Sequence, residues 1–239
     1  MTNITEIASD LFRICTYVPE IDLQFCQFLV RDEQPLLYHT GMRQIFPVVR
    51  EAVAKLVDPA TIRWIGFSHY EPDECGSLND WLALAPSAQA VCSQIGAMVF
   101  VDDGALRPAR PLADGERLTT GAHTWRLLWT PHLPHGWDAS MLFDETSRTL
   151  LCSDLLHQNG DAEPTAGAGV LERSAAALRA YQATPLRDYL PYCTRTEVNL
   201  ARLAALQPKA CATMHGSTFL GDGGRALTEL GSVYREVLG

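Results

Sequence analysis

Ser68-His69-Tyr70-Glu71-Pro72-Asp73-Glu74-Cys75-Gly76-Ser77 follows the short apolar run Arg63 to Phe67 and precedes a helical pattern beginning near Leu78. His69, Glu71 and Asp73 alternate along this stretch, so extended backbone points all three the same way. Three such groups converging without a cation repel one another and lose hydration; a metal ion removes that conflict. The competing reading is a helix N-terminus, in which Asp73, Glu74 and Ser77 serve the dipole and the free N–H groups ahead of Leu78.

Three more stretches with ionisable residues stand behind apolar runs. Thr130-Pro131-His132-Leu133-Pro134-His135-Gly136 sets two imidazoles on a proline-stiffened loop. Cys152-Ser153-Asp154 puts a carboxylate directly after a strand. Met214-His215-Gly216 puts a histidine after the last strand, with Gly216 permitting close backbone approach. Taken singly, each reads as a structural histidine or a solvated acid. Taken in order, H-x-E-x-D, then H, D and H, each behind a strand, the pattern is much harder to reach by chance.

The rest of the chain supplies a mixed scaffold. Strands are read at Leu11–Val18, Phe25–Val30, Leu36–His39, Arg63–Phe67, His123–Thr130, Ser140–Phe143, Thr149–Cys152 and Ala210–Met214, with a hairpin between Ser140–Phe143 and Thr149–Cys152. An amphipathic stripe of Phe46, Val49, Val53, Leu56 and Val57 predicts a helix over 46–57, stopped by Asp58-Pro59. Further helices are expected over 173–183, 196–206 and 223–238, and a mobile surface loop over 158–170. Strands that cluster in twos and threes between helices point to an α/β layered sandwich with mixed sheets.

Composition narrows the function. With 239 residues, 47% hydrophobic and 20% charged, the chain is ordinary globular protein, read as one domain over 1–239. Its 19 basic against 28 acidic side chains give a net charge of −9, unfavourable for a nucleic acid or an anionic membrane. The N-terminus has no signal-peptide pattern, and the seven cysteines form no Cys-x-x-Cys pair, so a reducing cytoplasm is expected and most thiols read as small buried apolar residues.

The ordering of these residues resembles the metallo-β-lactamase fold, a four-layer αββα sandwich with metals at one sheet edge. Glu71 stands where the hydrolase signature H-x-H-x-D-H has a second histidine, which resembles the di-iron domain of flavodiiron proteins. The contexts E-P-D-E-C-G-S-L-N-D-W-L and T-P-H-L-P-H-G-W-D resemble most closely their stand-alone relatives, the oxygen-binding di-iron proteins. The resemblance implies one iron held by His69, Glu71, His132 and a bridging Asp154, and another by Asp73, Asp154 and His215, with a bridging hydroxide or oxo group. Glu74 replaces a further family histidine and is left open between ligating, swinging away and leaving a free position. As a ligand it would add a fourth negative charge and favour ferric iron. His135 is assigned beside the ligands, in exchange with His132 if the loop turns the other way. Tyr70, Trp137 and His157 are candidate pocket residues.

The implied function is a non-haem di-iron protein that binds dioxygen or nitric oxide, as a sensor, a carrier or a slow reductase. An oxygen-rich donor set suits iron or manganese, with zinc also admissible. No Gly-rich phosphate fingerprint appears, so no FMN and no flavodoxin-like domain are expected; electrons then come from an external donor, and a homodimer is implied by resemblance. Two alternatives stand beside this reading: a hydrolase of the same fold using a metal-bound hydroxide on an ester, thioester or phosphodiester, and a degenerate binding domain.

Overall fold

Two seven-stranded mixed sheets lie face to face with helices on both outer surfaces, in a computed structural model that describes residues 2–239. The first sheet runs β1 (Thr2–Ala8), β2 (Leu11–Val18), β3 (Leu23–Val30), β4 (Leu36–Tyr38), β5 (Trp64–Gly66), β6 (Gln89–Ser93) and β7 (Arg110–Leu112), in that spatial order. It is antiparallel as far as β4 and parallel from β4 to β7. The second contains β8 (Arg117–Thr119), β9 (Thr124–Trp129), β10 (Ser140–Asp144), β11 (Thr149–Ser153), β12 (Thr165–Ala166), β13 (Ala210–Thr213) and β14 (Thr218–Leu220), ordered β12-β14-β13-β11-β10-β9-β8.

Alternation along the strands builds the layers. On β2, β3, β4 and β5, Ile14, Leu29, Leu37 and Ile65 face outward. Their neighbours Leu11, Phe28, Tyr38 and Trp64 face the opposite sheet, where they meet Trp125, Leu142 and Leu151. The outward row of the first sheet is covered by α1 (Phe46–Val53) and α3 (Leu78–Leu84) through Val49, Val53, Trp81 and Leu82. The second sheet's outer residues Leu150 and Cys152 pack under α6 (Val170–Tyr181), α7 (Thr196–Ala204) and α8 (Gly223–Leu238) through Leu178, Leu203 and Leu227. Strands buried on both faces read as nearly continuous apolar runs, which is why they stand out in the sequence. Short helices α2 (Pro72–Cys75), α4 (Gln94–Gly96) and α5 (Asp102–Gly104) complete the set, the last two joined by a π-turn over Ala97–Val101.

Three expectations change. The helix over 46–57 ends at Val53; Leu56 and Val57 still pack on the core, but in turns, because Pro59 forces Asp58 into extended backbone (ψ 118°). The segment 158–170 is tied down rather than loose. Gln24 Nε2 donates to Asp161 Oδ1 and the Ala162 carbonyl, the Gly160 N–H donates to the Asp22 carbonyl, and β12 pairs with β14. The chain between α3 and β9 holds β6, β7 and β8, whose three to five residues are too short for a periodic signal. No helix of the described residues is long and apolar enough to cross a membrane.

Candidate metal centre

Local backbone geometry decides which polar groups meet. From Ser68 to Glu71 the chain bends, the Glu71 N–H donating to the His69 carbonyl (3.2 Å) across Tyr70; Glu71 itself is extended (φ −147°, ψ 167°), and Pro72 then opens the single turn of α2. That tight turn, rather than the expected alternation along extended backbone, brings His69 and Glu71 together, while helical twist separates Asp73 from Glu74 by about 100°. Asp73 reaches the sheet edge and Glu74 turns into the interior. On β11, a register shift between Leu151 and Ser153 and a left-handed Ser153 (φ 52°) bend the strand where Asp154 emerges.

His69, Glu71, His135 and Asp154 converge so that one donor atom of each lies within 4.8 Å of the others. His69 Nε2 lies 2.9 Å from Glu71 Oε1 and 3.8 Å from Asp154 Oδ2, and His135 Nε2 lies 2.9 Å from the same Asp154 oxygen. Asp154 turns its other oxygen to a second group: His215 Nε2 stands 3.4 Å from Asp154 Oδ1 and 3.3 Å from Asp73 Oδ2. One carboxylate thus faces two clusters.

His132 stands apart from this assembly. It is exposed and left-handed (φ 64°), and its N–H donates to the Gly136 carbonyl. That turn swings His132 outward and brings His135 in, the exchange allowed for above. Mutation separates the pair: H135A is expected to cost at least tenfold in affinity at one of two metal equivalents, while H132A leaves metal titrations unchanged.

Glu74 stands outside the cluster, fully buried. Its Oε2 accepts from the Ser68 N–H (2.9 Å) and lies 2.8 Å from His39 Nε2, while its Oε1 accepts from Ser153 Oγ (2.6 Å). Ser68 Oγ donates to Ser153 Oγ (2.8 Å) and lies 2.7 Å from His69 Nδ1. With the His69 Nδ1–H donating to Ser68, this buried chain holds the His69 tautomer with Nε2 aimed at the cluster. The Gln24 carbonyl does the same for His215 Nδ1 (2.8 Å). Sequence reasoning missed Ser68, Ser153, Gln24 and the role of His39; the one available signal was a serine directly preceding both His69 and Asp154.

The electrostatics show a site built for cations. Burial alone would lower the His69 and His135 pKa values. The Glu74 charge and the Glu71 contact instead raise His69 to about 9, and the Asp154 and Glu71 contacts raise His135 to about 10. His215 is likewise held well above its usual range by Asp154 and Asp73 against its burial. Burial pushes Glu71 up, but His135 and His69 draw it to about 2; Asp154 is held well below the carboxylate range by His135 and His215. Burial dominates at Asp73 and raises it. Protons on imidazole thus do the neutralising that metal ions otherwise do. Imidazole must lose its proton to ligate. Metal loading at neutral pH is therefore expected to release protons, and apparent affinity at the His69–His135 cluster to rise with pH up to about pH 10. Indicator-dye titrations during loading measure both.

Two buried atoms test whether metal fits: His69 Nε2 and Asp154 Oδ1 have close charged neighbours but no well-aligned hydrogen bond among the described residues, and both point into the clusters. Such orphans are costly unless a cation satisfies them. A cavity of about 470 Å³ opens over the centre, lined by Glu71, Asp73, His135, Asp154 and His215 and walled by Phe25, His157, Tyr181 and Tyr189. His157 lies against His215 (ring centroids 4.6 Å apart), and burial drops its pKa to about 3, so it is a neutral wall. Tyr70 and Trp137 belong to another surface: both are exposed, and Tyr70 stacks on Phe100 (centroids 4.5 Å). Tyr70 and Phe100 line a cavity of about 730 Å³ that reaches only Glu71 of the clustered residues.

An αββα sandwich with imidazole and carboxylate groups gathered at one sheet edge defines a metallo-β-lactamase-type protein. Within that class the chain belongs to the ODP family of beta-lactamase proteins, whose profile matches residues 23–216. A putative diflavin flavoprotein A 1 of Nostoc sp. is 33% identical over 131 residues, 54% of this chain and 22% of that protein. Rubredoxin-oxygen oxidoreductase of Megalodesulfovibrio gigas is 24% identical over 200 residues, 81% of this chain and 48% of that protein. The chain therefore spans less than half the length of these curated relatives. Among solved structures, the D. gigas rubredoxin oxygen:oxidoreductase superposes with a TM-score of 0.79 at 19% identity, over 98% of this chain and 61% of that one. A 1–254 fragment of a putative diflavin flavoprotein A 5 from Nostoc sp. gives 0.80 at 16% identity, over 98% and 97%.

Proposed function

We propose that this chain is a non-haem di-iron protein that binds dioxygen or nitric oxide, as a sensor, a carrier or a slow reductase fed by an external electron donor. The observation that carries the reading is the two-sided Asp154, with two imidazoles and Glu71 on one oxygen and His215 and Asp73 on the other side. His69, Glu71, His135 and Asp154 would hold one iron; Asp73, Asp154 and His215 would hold the second. One relative's name, an oxygen oxidoreductase, supports a redox-active metal such as iron over redox-inert zinc. When bound, paired iron supplies an open position and electrons for a diatomic ligand.

The chain's own groups shape what reaches that position. Glu74 turns away, so the second site has three protein donors where the first has four. That thinner site opens to the cavity walled by Phe25, His157, Tyr181 and Tyr189, which suits a small uncharged ligand. Ser68 and the Gln24 carbonyl keep the ligating nitrogens of His69 and His215 turned inward. Tyr181 lies within 3.0 Å of His157 Nε2, and its hydroxyl donates to Asn159 Oδ1, so the wall nearest the second site is held in one arrangement.

A hydrolase is disfavoured on two counts. Glu71 in place of an imidazole lowers the Lewis acidity that an activated hydroxide needs. No Lys or Arg is among the residues lining this cavity to receive a phosphodiester. Anaerobic ferrous loading followed by air decides the matter. Two irons per chain and a new visible absorption band on oxygen addition are expected. Tight zinc with esterase turnover would establish the hydrolase, and absence of stoichiometric metal the degenerate binding domain.

A further inference from the structure

Cys15 on β2 and Cys26 on β3 are direct partners across the antiparallel ladder. Residues so opposed have Cα atoms about 4.5–5.5 Å apart, inside the roughly 4.4–6.8 Å range that a disulfide spans. Both thiols lie in the core between the sheets, opposed across the ladder. The other five cysteines are scattered through different elements of the fold.

Two further observations tie this pair to the metal centre. Cys26 Sγ lies 4.0 Å from the carbonyl oxygen of Gly216, the residue after His215. The Cys26 N–H donates to the Met214 carbonyl (2.9 Å), and Phe25 packs edge-on against the His215 ring. The pair also sits beside a fully buried guanidinium. Arg13 shares the Cys15 face of β2, its Nη2 donates only to the neutral Gln24 Oε1 and Gly216 carbonyl, and its Nε has no hydrogen-bond partner among the described residues. A buried cation with neutral partners favours an anion nearby. Burial pushes the Cys26 thiol up, but the neighbouring Cys15 thiol and the Arg13 charge bring it down to about 6, the thiolate form that forms disulfides.

We propose that Cys15 and Cys26 are an internal two-electron donor to the metal centre, closing to a disulfide as they reduce it. The step rests on the di-iron reading above and balances. One sulfur–sulfur bond forms between the Cys26 thiolate and the Cys15 sulfur, the Cys15 thiol gives up its one proton, and two electrons pass, one to each of two ferric irons, which become ferrous. The direction matches the site: the thiols are buried, so bulk oxidants do not reach them directly, whereas the His215–Gly216 backbone is in contact. The chain thereby stores one reducing equivalent per iron, independent of a second protein.

The test is thiol mapping on the wild-type chain, which needs no variant to fold. Protein loaded anaerobically with ferrous iron is oxidised with a limiting amount of air, incubated anaerobically, denatured, alkylated and digested. The expected result is a loss of two alkylatable thiols from seven, with Cys15 and Cys26 recovered as one linked peptide, and with slow bleaching of the ferric absorption in the same sample. In C26S the bleaching is expected to be lost while iron content stays at two per chain. Seven free thiols in a sample that carries two irons and the oxygen-dependent band would overturn the proposal and leave the di-iron reading standing. So would the same linkage forming at the same rate in metal-free protein. Failure to load two irons overturns both.

Discussion

Asp154→Asn is expected to abolish the stoichiometric binding of both metals together. Replacing one carboxylate oxygen by an amide removes the charge that both clusters share, since Oδ2 faces His69 and His135 while Oδ1 faces His215. Outer partners of metal ligands typically cost about 10–100-fold in affinity, and a group that faces two ions directly is expected to exceed that at each. The change is nearly isosteric, so the fold is expected to persist. Metal content by mass spectrometry, with circular dichroism as the folding control, measures the result. Loss of one metal alone would show that Asp154 serves a single site. The same variant removes the anion that holds His135 and His215 protonated, so proton release on loading at neutral pH should fall with it.

Glu74→Ala is expected to give the largest loss of stability of any single change at the centre. The side chain is fully buried and is met by the Ser68 N–H, Ser153 Oγ and His39 Nε2. Leaving these buried donors without their shared acceptor costs about 1–3 kcal/mol for each one, and the loss should appear in chemical denaturation of the metal-free protein. A second, separable effect is expected on metal affinity. Without Glu74 the Ser153–Ser68 chain loses its acceptor, and His69 loses the hold on its Nδ1–H. Affinity at the His69 cluster should drop by about 10–100-fold, while the Asp73–His215 side is less affected. Glu74→Gln keeps the shape and one acceptor oxygen, so it should recover part of the stability but little of the affinity. Equal metal affinity in wild type and Glu74→Ala would remove Glu74 from any part in positioning His69.

The ten residues from Ser68 to Ser77 illustrate what local pattern can say. Two-residue alternation put His69 and Glu71 on one side, and they do meet, but across a tight turn at Tyr70 rather than along extended backbone. It also placed Asp73 at the centre, but through the wrong geometry: a helical turn, rather than continued extension, delivers Asp73 to His215. The rotation that turns Asp73 outward turns Glu74 inward to His39, a residue of the loop after β4 that is remote in sequence and reads as purely structural. The loop 131–136 illustrates the converse. Two histidines three residues apart between prolines are equivalent as a written pattern; only the His132–Gly136 hydrogen bond, folding the loop back on itself, makes one exposed and the other a cluster member.

The amino-acid order alone determined the layers and the inventory of donors. Periodicity of two and near 3.6 reports which faces are buried, and a polar residue breaking an apolar run marks a strand end. Tertiary packing alone decided which donor faces which neighbour: His135 over His132, Asp73 apart from Glu74, and Cys15 against Cys26. Those choices depend on side-chain direction where strands, turns and a single helical turn meet, and contacts between chain segments set that direction.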